Sequence, residues 1–177
     1  GLGIDIAGDI EAGLVLVQPV DPAEMSPGEF AHAVLRAVER DGAKVVVIDS
    51  LNGYLNAMPE ERFLILHLRE VLTYLGNLGV LTFLVAAQHG LIGSQMISPV
   101  DASYLADAVI LLRYFEAAGR VRRAISVIKK RGGRHEQTLR EMSMGEGGIH
   151  IGEPLHDFHG VLTGTPTFMD NSDSRSR

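Results

Sequence analysis

The hydrophobic positions of the chain fall into short continuous runs that alternate with helically spaced ones. The first run, residues 14–17, follows Gly13 and is closed by Pro19, which predicts a strand. Ser26, Pro27 and Glu29 then supply an N-cap, a first-turn proline and a capping-box acid. Phe30, Val34, Ala37 and Val38 recur at helical spacing until Gly42, so a helix is expected here. Residues 45–48 are consecutive β-branched positions with no polar alternation, which predicts a parallel strand covered on both faces, and the run stops on Asp49. Pro59, Glu60 and Glu61 open a second helix with Phe63, Leu66, Val71, Leu72, Leu75 and Leu78 on its inner face and Gly79 at its end. Residues 80–87 form another apolar run. Strand, helix, strand, helix, strand predicts right-handed crossovers and a doubly wound α/β sheet.

From Asp101 onward the period changes. Residues 108–112, 124–128 and 138–144 are strand-like and are joined by the short links AAGR and KKRGGRHE, which predicts β-hairpins. The closing TGTPTFMDNSDSRSR is small, polar and proline-containing, as expected of a loose tail. No internal repeat is evident.

Composition narrows the picture. A chain of 177 residues, 46% hydrophobic and 21% charged, suffices for one globular domain with a substantial core. It has no cysteine, no apolar run of membrane-spanning length and no basic-then-apolar leader, so a cytoplasmic protein without membrane insertion is expected. The net charge of -6 argues against a general nucleic-acid binder. The charge is unevenly placed, however: eight of the sixteen Lys and Arg residues fall between Arg113 and Arg134, where Glu116 is the only acid.

Asp49 carries the candidate chemistry. In open α/β sheets ligands bind beyond the carboxyl ends of the strands. A phosphate-bound Mg²⁺ keeps most of its waters and is held through one or two carboxylates, which a strand-terminal Asp can provide. Such an Asp also serves simply to cap the turn that follows, and the local pattern leaves both uses open.

Three segments taken together resemble the KaiC-like branch of the RecA-superfamily ATPases: VVVIDSLNGYL, the stretch SPVDASYLADAVILLRYFEAAGRVRRAISVIKKRGGRHE, and VLTGTP. The resemblance implies an α/β fold with a RecA-like, mostly parallel sheet flanked by helices and C-terminal β-hairpins. It implies an ATPase that uses ATP and Mg²⁺ in a ring of identical subunits and regulates signalling partners. Asp49 would be its Walker B residue, holding Mg²⁺, with Ser50 beside it in the nucleotide site. In KKRGGRHE, Lys129 and Arg131 would reach the nucleotide of the neighbouring subunit, with His135 three residues past Gly132 also in that site. Cations delivered in place stabilise the charge spread over a transferring phosphoryl group, and a cation from another chain couples hydrolysis to assembly. A solvated hairpin turn is the plainer use of such a run.

The chain also departs from that family. Nowhere in its 177 residues is there a G-x-x-x-x-G-K-[ST] loop, nor the strand-ending pair of glutamates that serves the family as catalytic base. The opening GLGIDIAGDIEAG resembles the middle of a family domain. Residues 1–164 are therefore expected to be the C-terminal part of a larger ATPase domain, with its P-loop part absent, and residues 165–177 a flexible tail. Alone, such a chain lacks the lysine and the nest of amides that cradle phosphates, so it is expected to be inactive by itself. Clock proteins of this family autophosphorylate an adjacent Ser-Thr pair, and Ser103 is the matching candidate phosphoacceptor here, although its neighbour is Tyr104.

The remaining constellations are weaker. His156, Asp157 and His159 lack a further ligand for zinc and read as a polar surface turn. Gln88 and His89, after an apolar run, are candidate sensors of nucleotide state, while His32 and His67 are expected to face solvent. A recombination accessory protein of the same superfamily would use residues 90–100 as its DNA-binding loop. That loop, GLIGSQMISPV, has no Lys, Arg or aromatic residue, so nucleic acid is not expected as a partner. A non-catalytic interaction module is the third function compatible with the missing P-loop. Loss of the strand that leads into that loop predicts that the chain on its own self-associates through an exposed strand edge or apolar patch.

Overall fold

The computed structural model describes residues 3–21, 24–56, 61–87, 102–156, 158–162 and 167–168. Its elements run α1 (Ile6–Glu11), α2 (Pro27–Glu39), β1 (Val45–Asp49), α3 (Leu51–Asn56), α4 (Glu61–Asn77), β2 (Leu81–Val85), a 3-10 turn (Ala102–Tyr104), β3 (Ala108–Ala117), β4 (Arg120–Lys130), β5 (Arg140–Gly145), β6 (Gly148–Pro154), β7 (Phe158–His159) and β8 (Thr167–Phe168). They belong to two compact units. One consists of the described parts of Val17–Gln88 and Ser98–Leu105, the other of the described parts of Gly1–Leu16 and Ala106–Arg177. Among the described residues no helix is long and apolar enough to cross a membrane.

In the first unit, α2 starts as its sequence predicts. The Glu29 N–H donates to Ser26 Oγ at 3.3 Å and the Ser26 N–H donates to the Glu29 carboxylate at 2.9 Å, closing the capping box over Pro27. These Ser26 contacts, its backbone N–H first, hold the Glu29 carboxyl below its ordinary pKa. Gly42 follows the helix at φ +76°, a conformation that costs glycine nothing. β1 and β2 then pair in parallel, from Val45↔Leu81 to Asp49↔Val85. Both α2 and α4 pack on one side of this pair. Ala31, Val38, Val71, Leu75 and Val80 form one buried cluster, against which Val46 packs. Ile48, Leu51, Tyr54, Leu64 and Leu68 form a second, joined by Phe30, Leu84 and Leu105.

Three expectations need correction here. β1 is not covered on both faces: Val45, Val47, Leu81, Phe83 and Val85 are exposed, Val47 at 61%, because both helices take the Val46 and Ile48 side. The inner stripe of α4 is Leu64, Leu68, Val71 and Leu75, whereas Phe63 and Leu66 are 64% and 55% exposed. Five leucines, a phenylalanine, an isoleucine and a valine between Phe63 and Leu75 permit more than one stripe, and the one used keeps the three-or-four spacing throughout. Residues 14–17 make no strand. The N–H groups of Leu14 and Val15 turn back to the Asp9 carbonyl at 2.9 and 3.2 Å and so close α1, whose N-cap Asp5 accepts from Gly8 N–H at 3.1 Å.

The second unit holds an antiparallel sheet in the order β3-β4-β5-β6. β3 and β4 are joined by the two-residue turn Ala118–Gly119, both at positive φ (52° and 68°), which suits the right-handed twist of a tight hairpin. Phe115, Ala117, Ala124 and Val161 form its buried centre, with Leu139, Leu155 and Phe158 against them. β4 and β5 share only the pairs Ala124↔Glu141 and Ile125↔Arg140. A bidentate Arg122–Glu141 ion pair reinforces them on the diagonal, and its guanidinium lies 5.7 Å from the Phe115 ring centroid and 5.8 Å from that of Phe158. Arg122 in turn holds the Glu141 carboxyl below the usual range by hydrogen bonding. Of the expected loose tail only Thr167 and Phe168 are described, and they pair with Phe158 and His159 as β8 with β7.

Candidate functional site

Asp49 is the last residue of β1, paired in register with Val85, and its side chain is exposed at the carboxyl end of the parallel pair. Ser50 follows through a cis peptide bond and is half-buried. Its carbonyl accepts from the N–H groups of Gly53 (3.1 Å) and Tyr54 (3.4 Å), which starts α3 immediately beyond the carboxylate. This helix is fastened on two sides. The Asn52 carboxamide makes two hydrogen bonds to the main chain of Ala87, and the Tyr54 hydroxyl lies 2.7 Å from Nδ1 of His67 in α4. The Tyr54 ring is buried and tilted at 57° against Phe30, 5.2 Å between centroids. Burial pushes its phenol up to about 12. The expectation that His67 faces solvent is thereby corrected: it is half-buried and hydrogen-bonded to Tyr54, whereas His32 is exposed.

A single exposed carboxylate at a strand end suits Mg²⁺, which takes few protein ligands and retains waters and phosphate oxygens. Among the described residues no three or more His, Cys, Asp or Glu side chains gather as a metal cage. Ser103 is exposed in the 3-10 turn of the same unit, and Leu105 just after it packs against the cluster around Ile48 and Leu51.

The basic hairpin belongs to the other unit. Along β3 and β4 the register is Leu111↔Ser126, Ile110↔Val127 and then Val109↔Lys129, so Ile128 is an extra residue in β4. The bulge leaves Ile128 half exposed and brings Lys129, half-buried, opposite Val109 on the inner face that strict alternation would have denied it. Nothing in the one-dimensional pattern announced this. The hairpin continues one step further: the Arg131 N–H donates to the Asp107 carbonyl at 2.8 Å, and its guanidinium donates to the Asp107 carboxylate at 3.2 Å. Both side chains of that ion pair are mostly exposed, 56% and 86%, so it holds Arg131 only lightly. Gly133 turns the chain at φ +72° and His135 follows, half-buried. Glu136 then staples the loop to β5, accepting from the Thr138 hydroxyl at 2.5 Å and from Arg140 at 3.3 Å. Asp49, Ser50 and Ser103 thus sit in one unit, and Lys129, Arg131 and His135 in the other. Gln88, His89, residues 90–100 and Asp157 lie outside the described residues.

Residues 9–156 match the family described as "ATPase: KaiC". The circadian clock protein KaiC3 of Synechocystis sp. is 41% identical over 83 residues, 47% of this chain and 16% of its own length. The circadian clock oscillator protein KaiC of Acaryochloris marina is 36% identical over 84 residues, 48% of this chain and 16% of its own. The chain therefore spans a small part of the curated relatives it matches. In fold it is similar to a KaiC-like protein from the hyperthermophilic archaeon Pyrococcus horikoshii, with a TM-score of 0.70 at 24% identity over 85% of this chain and 65% of that one.

The buried phenol of Tyr54 has a pH consequence. With its pKa raised from 10.0 to about 12, the neutral form stabilises the fold fully below the unfolded value, and that contribution is lost as pH rises through the folded value. Between those limits the unfolding free energy should fall more steeply in the wild type than in Tyr54→Phe, measured by urea unfolding at a series of alkaline pH values. Equal slopes would show that the phenol is not shielded.

Proposed function

The chain belongs to the KaiC ATPase family, and from that premise we propose that it supplies the metal-binding strand end and the cation-bearing hairpin of a ring-forming enzyme that hydrolyses Mg²⁺·ATP. The observation that carries this reading is the place of Asp49, exposed at the carboxyl end of a parallel strand whose other residues are apolar. Asp49 would hold Mg²⁺ with Ser50 beside it, and the ion, when bound, neutralises charge on the phosphates. The amides and lysine that cradle those phosphates would come from a P-loop outside these 177 residues, so the chain by itself is proposed to be inactive.

Lys129 and Arg131, with His135, would act on the nucleotide of the adjacent subunit. The light hold of Asp107 on Arg131 supports this, since an exposed ion pair gives way to a doubly charged phosphate at little cost. Ser103, exposed, is proposed as a phosphoacceptor for an autokinase activity, and regulation of signalling partners from a cytoplasmic ring is proposed with it. The chain alone should self-associate through the exposed face of Val45, Val47, Leu81, Phe83 and Val85.

In a chain extended upstream to a P-loop, Asp49→Asn should lower Mg²⁺-dependent turnover at least about tenfold. Undiminished hydrolysis would end the metal assignment. Lys129→Ala and Arg131→Ala should each reduce turnover more than nucleotide affinity, and mixing either with Asp49→Asn subunits should restore part of it. Mixed rings without any rescue would place the cations in their own subunit's site or in none. For the 177-residue chain, light scattering should report oligomers that Val47→Lys disperses, and a stable monodisperse monomer of the unaltered chain would refute the apolar-face contact.

A further inference from the structure

β1 and β2 both end at the rung Asp49↔Val85, and the chain after β2 runs on through Ala87. Past the last rung the Ala87 main chain is exposed, and it takes its hydrogen bonds from a side chain of α3. The Ala87 N–H donates to Asn52 Oδ1 at 2.9 Å, and Asn52 Nδ2 donates to the Ala87 carbonyl at 3.0 Å. A primary carboxamide has the donor and acceptor of a peptide group, so this side chain takes the place of a further strand residue. Asn52 is the second residue of α3 and lies three positions after Asp49. The helix it belongs to is held from its other side by Tyr54 and His67 and buries Leu51. The turn at Asp49 and Ser50 is therefore fixed between two anchors, and of these only Asn52 ties it to β2.

We propose that Asn52 is a positioning residue for the Asp49 carboxylate: its paired hydrogen bonds to Ala87 set the turn from which Asp49 meets the metal–nucleotide complex. The inference rests on the reading of Asp49 as the metal carboxylate. A shorter side chain cannot reach Ala87, and an aspartate would set a carboxylate oxygen against the Ala87 carbonyl, so asparagine is the residue this geometry selects.

The test uses Asn52→Ala, Asn52→Gln and, as reference, Asp49→Asn, in the P-loop-bearing chain, with hydrogen exchange at the Ala87 amide as the second readout. Asn52→Ala should raise Ala87 exchange and lower kcat about tenfold while KM for ATP stays within about twofold, because misplacement of a reacting group costs turnover more than binding. Asn52→Gln, which keeps the carboxamide, should recover protection and turnover together. Fast Ala87 exchange with undiminished kcat in Asn52→Ala, beside a clear loss in Asp49→Asn, would overturn the positioning role and leave the metal reading standing. Full turnover in Asp49→Asn would overturn both. Should Asn52→Ala fail to fold, Asn52→Gln decides: turnover that does not follow Ala87 protection overturns the proposal.

Discussion

The paired hydrogen bonds between Asn52 and the Ala87 main chain join α3 to the segment that follows β2, at the end where β1 turns away after Asp49. Ala87 is exposed, so the two bonds from Asn52 replace bonds to water, and their effect is to fix where the main chain lies. They hold α3 at the strand end. That placement lets Leu51 and Tyr54 close the cluster of Ile48, Leu64 and Leu68 from above, and it leaves the Asp49 side chain as the exposed polar group at the rim. The apolar cluster backs the strand, and the carboxamide ties the helix after it to the chain beyond β2, at the end where the carboxylate is exposed.

The second unit meets a comparable problem with a different device. A β-hairpin alternates its side chains strictly, and Lys129 would fall on the outer face with Ile110 and Leu112. One added residue, Ile128, reverses that parity. The Arg122–Glu141 pair, with its guanidinium beside the Phe115 and Phe158 rings, joins β4 to β5 where the main-chain ladder is short, in the strand from which Lys129 and Arg131 extend. One unit thus offers a carboxylate suited to a metal ion, and the other offers cations suited to an anion. In the proposed function the carboxylate serves the metal of one nucleotide and the cations serve the nucleotide of a neighbouring subunit.

Much of this was legible in the residues. The capping box of Ser26 and Glu29, the β-branched run ending on Asp49, the apolar strand after Gly79 and the hairpins after Asp101 each carry a local signal, and each element is present. What stayed hidden depends on partners distant in sequence. Whether residues 14–17 form a strand depends on a neighbour to pair with, and none is described. Which leucines of α4 turn inward is settled by where β1 and α2 lie, so Phe63 and Leu66 could not be told from Leu64 and Leu68 by composition. Asn52 reads as an ordinary turn residue until Ala87, thirty-five positions away, is seen beside it. The bulge at Ile128 has no sequence marker, since glycine is absent there.

Asp49 is proposed to hold the metal of a bound nucleotide, and paramagnetic relaxation reads how near that metal lies to the end of β1. With Mn²⁺ replacing Mg²⁺ and ATP saturating the P-loop-bearing protein, the amide signals of Asp49, Ser50 and Ala87 should broaden before those elsewhere in the same unit. Saturated ATP binding with these three signals still sharp would place the metal away from the end of β1 and remove Asp49 as its ligand.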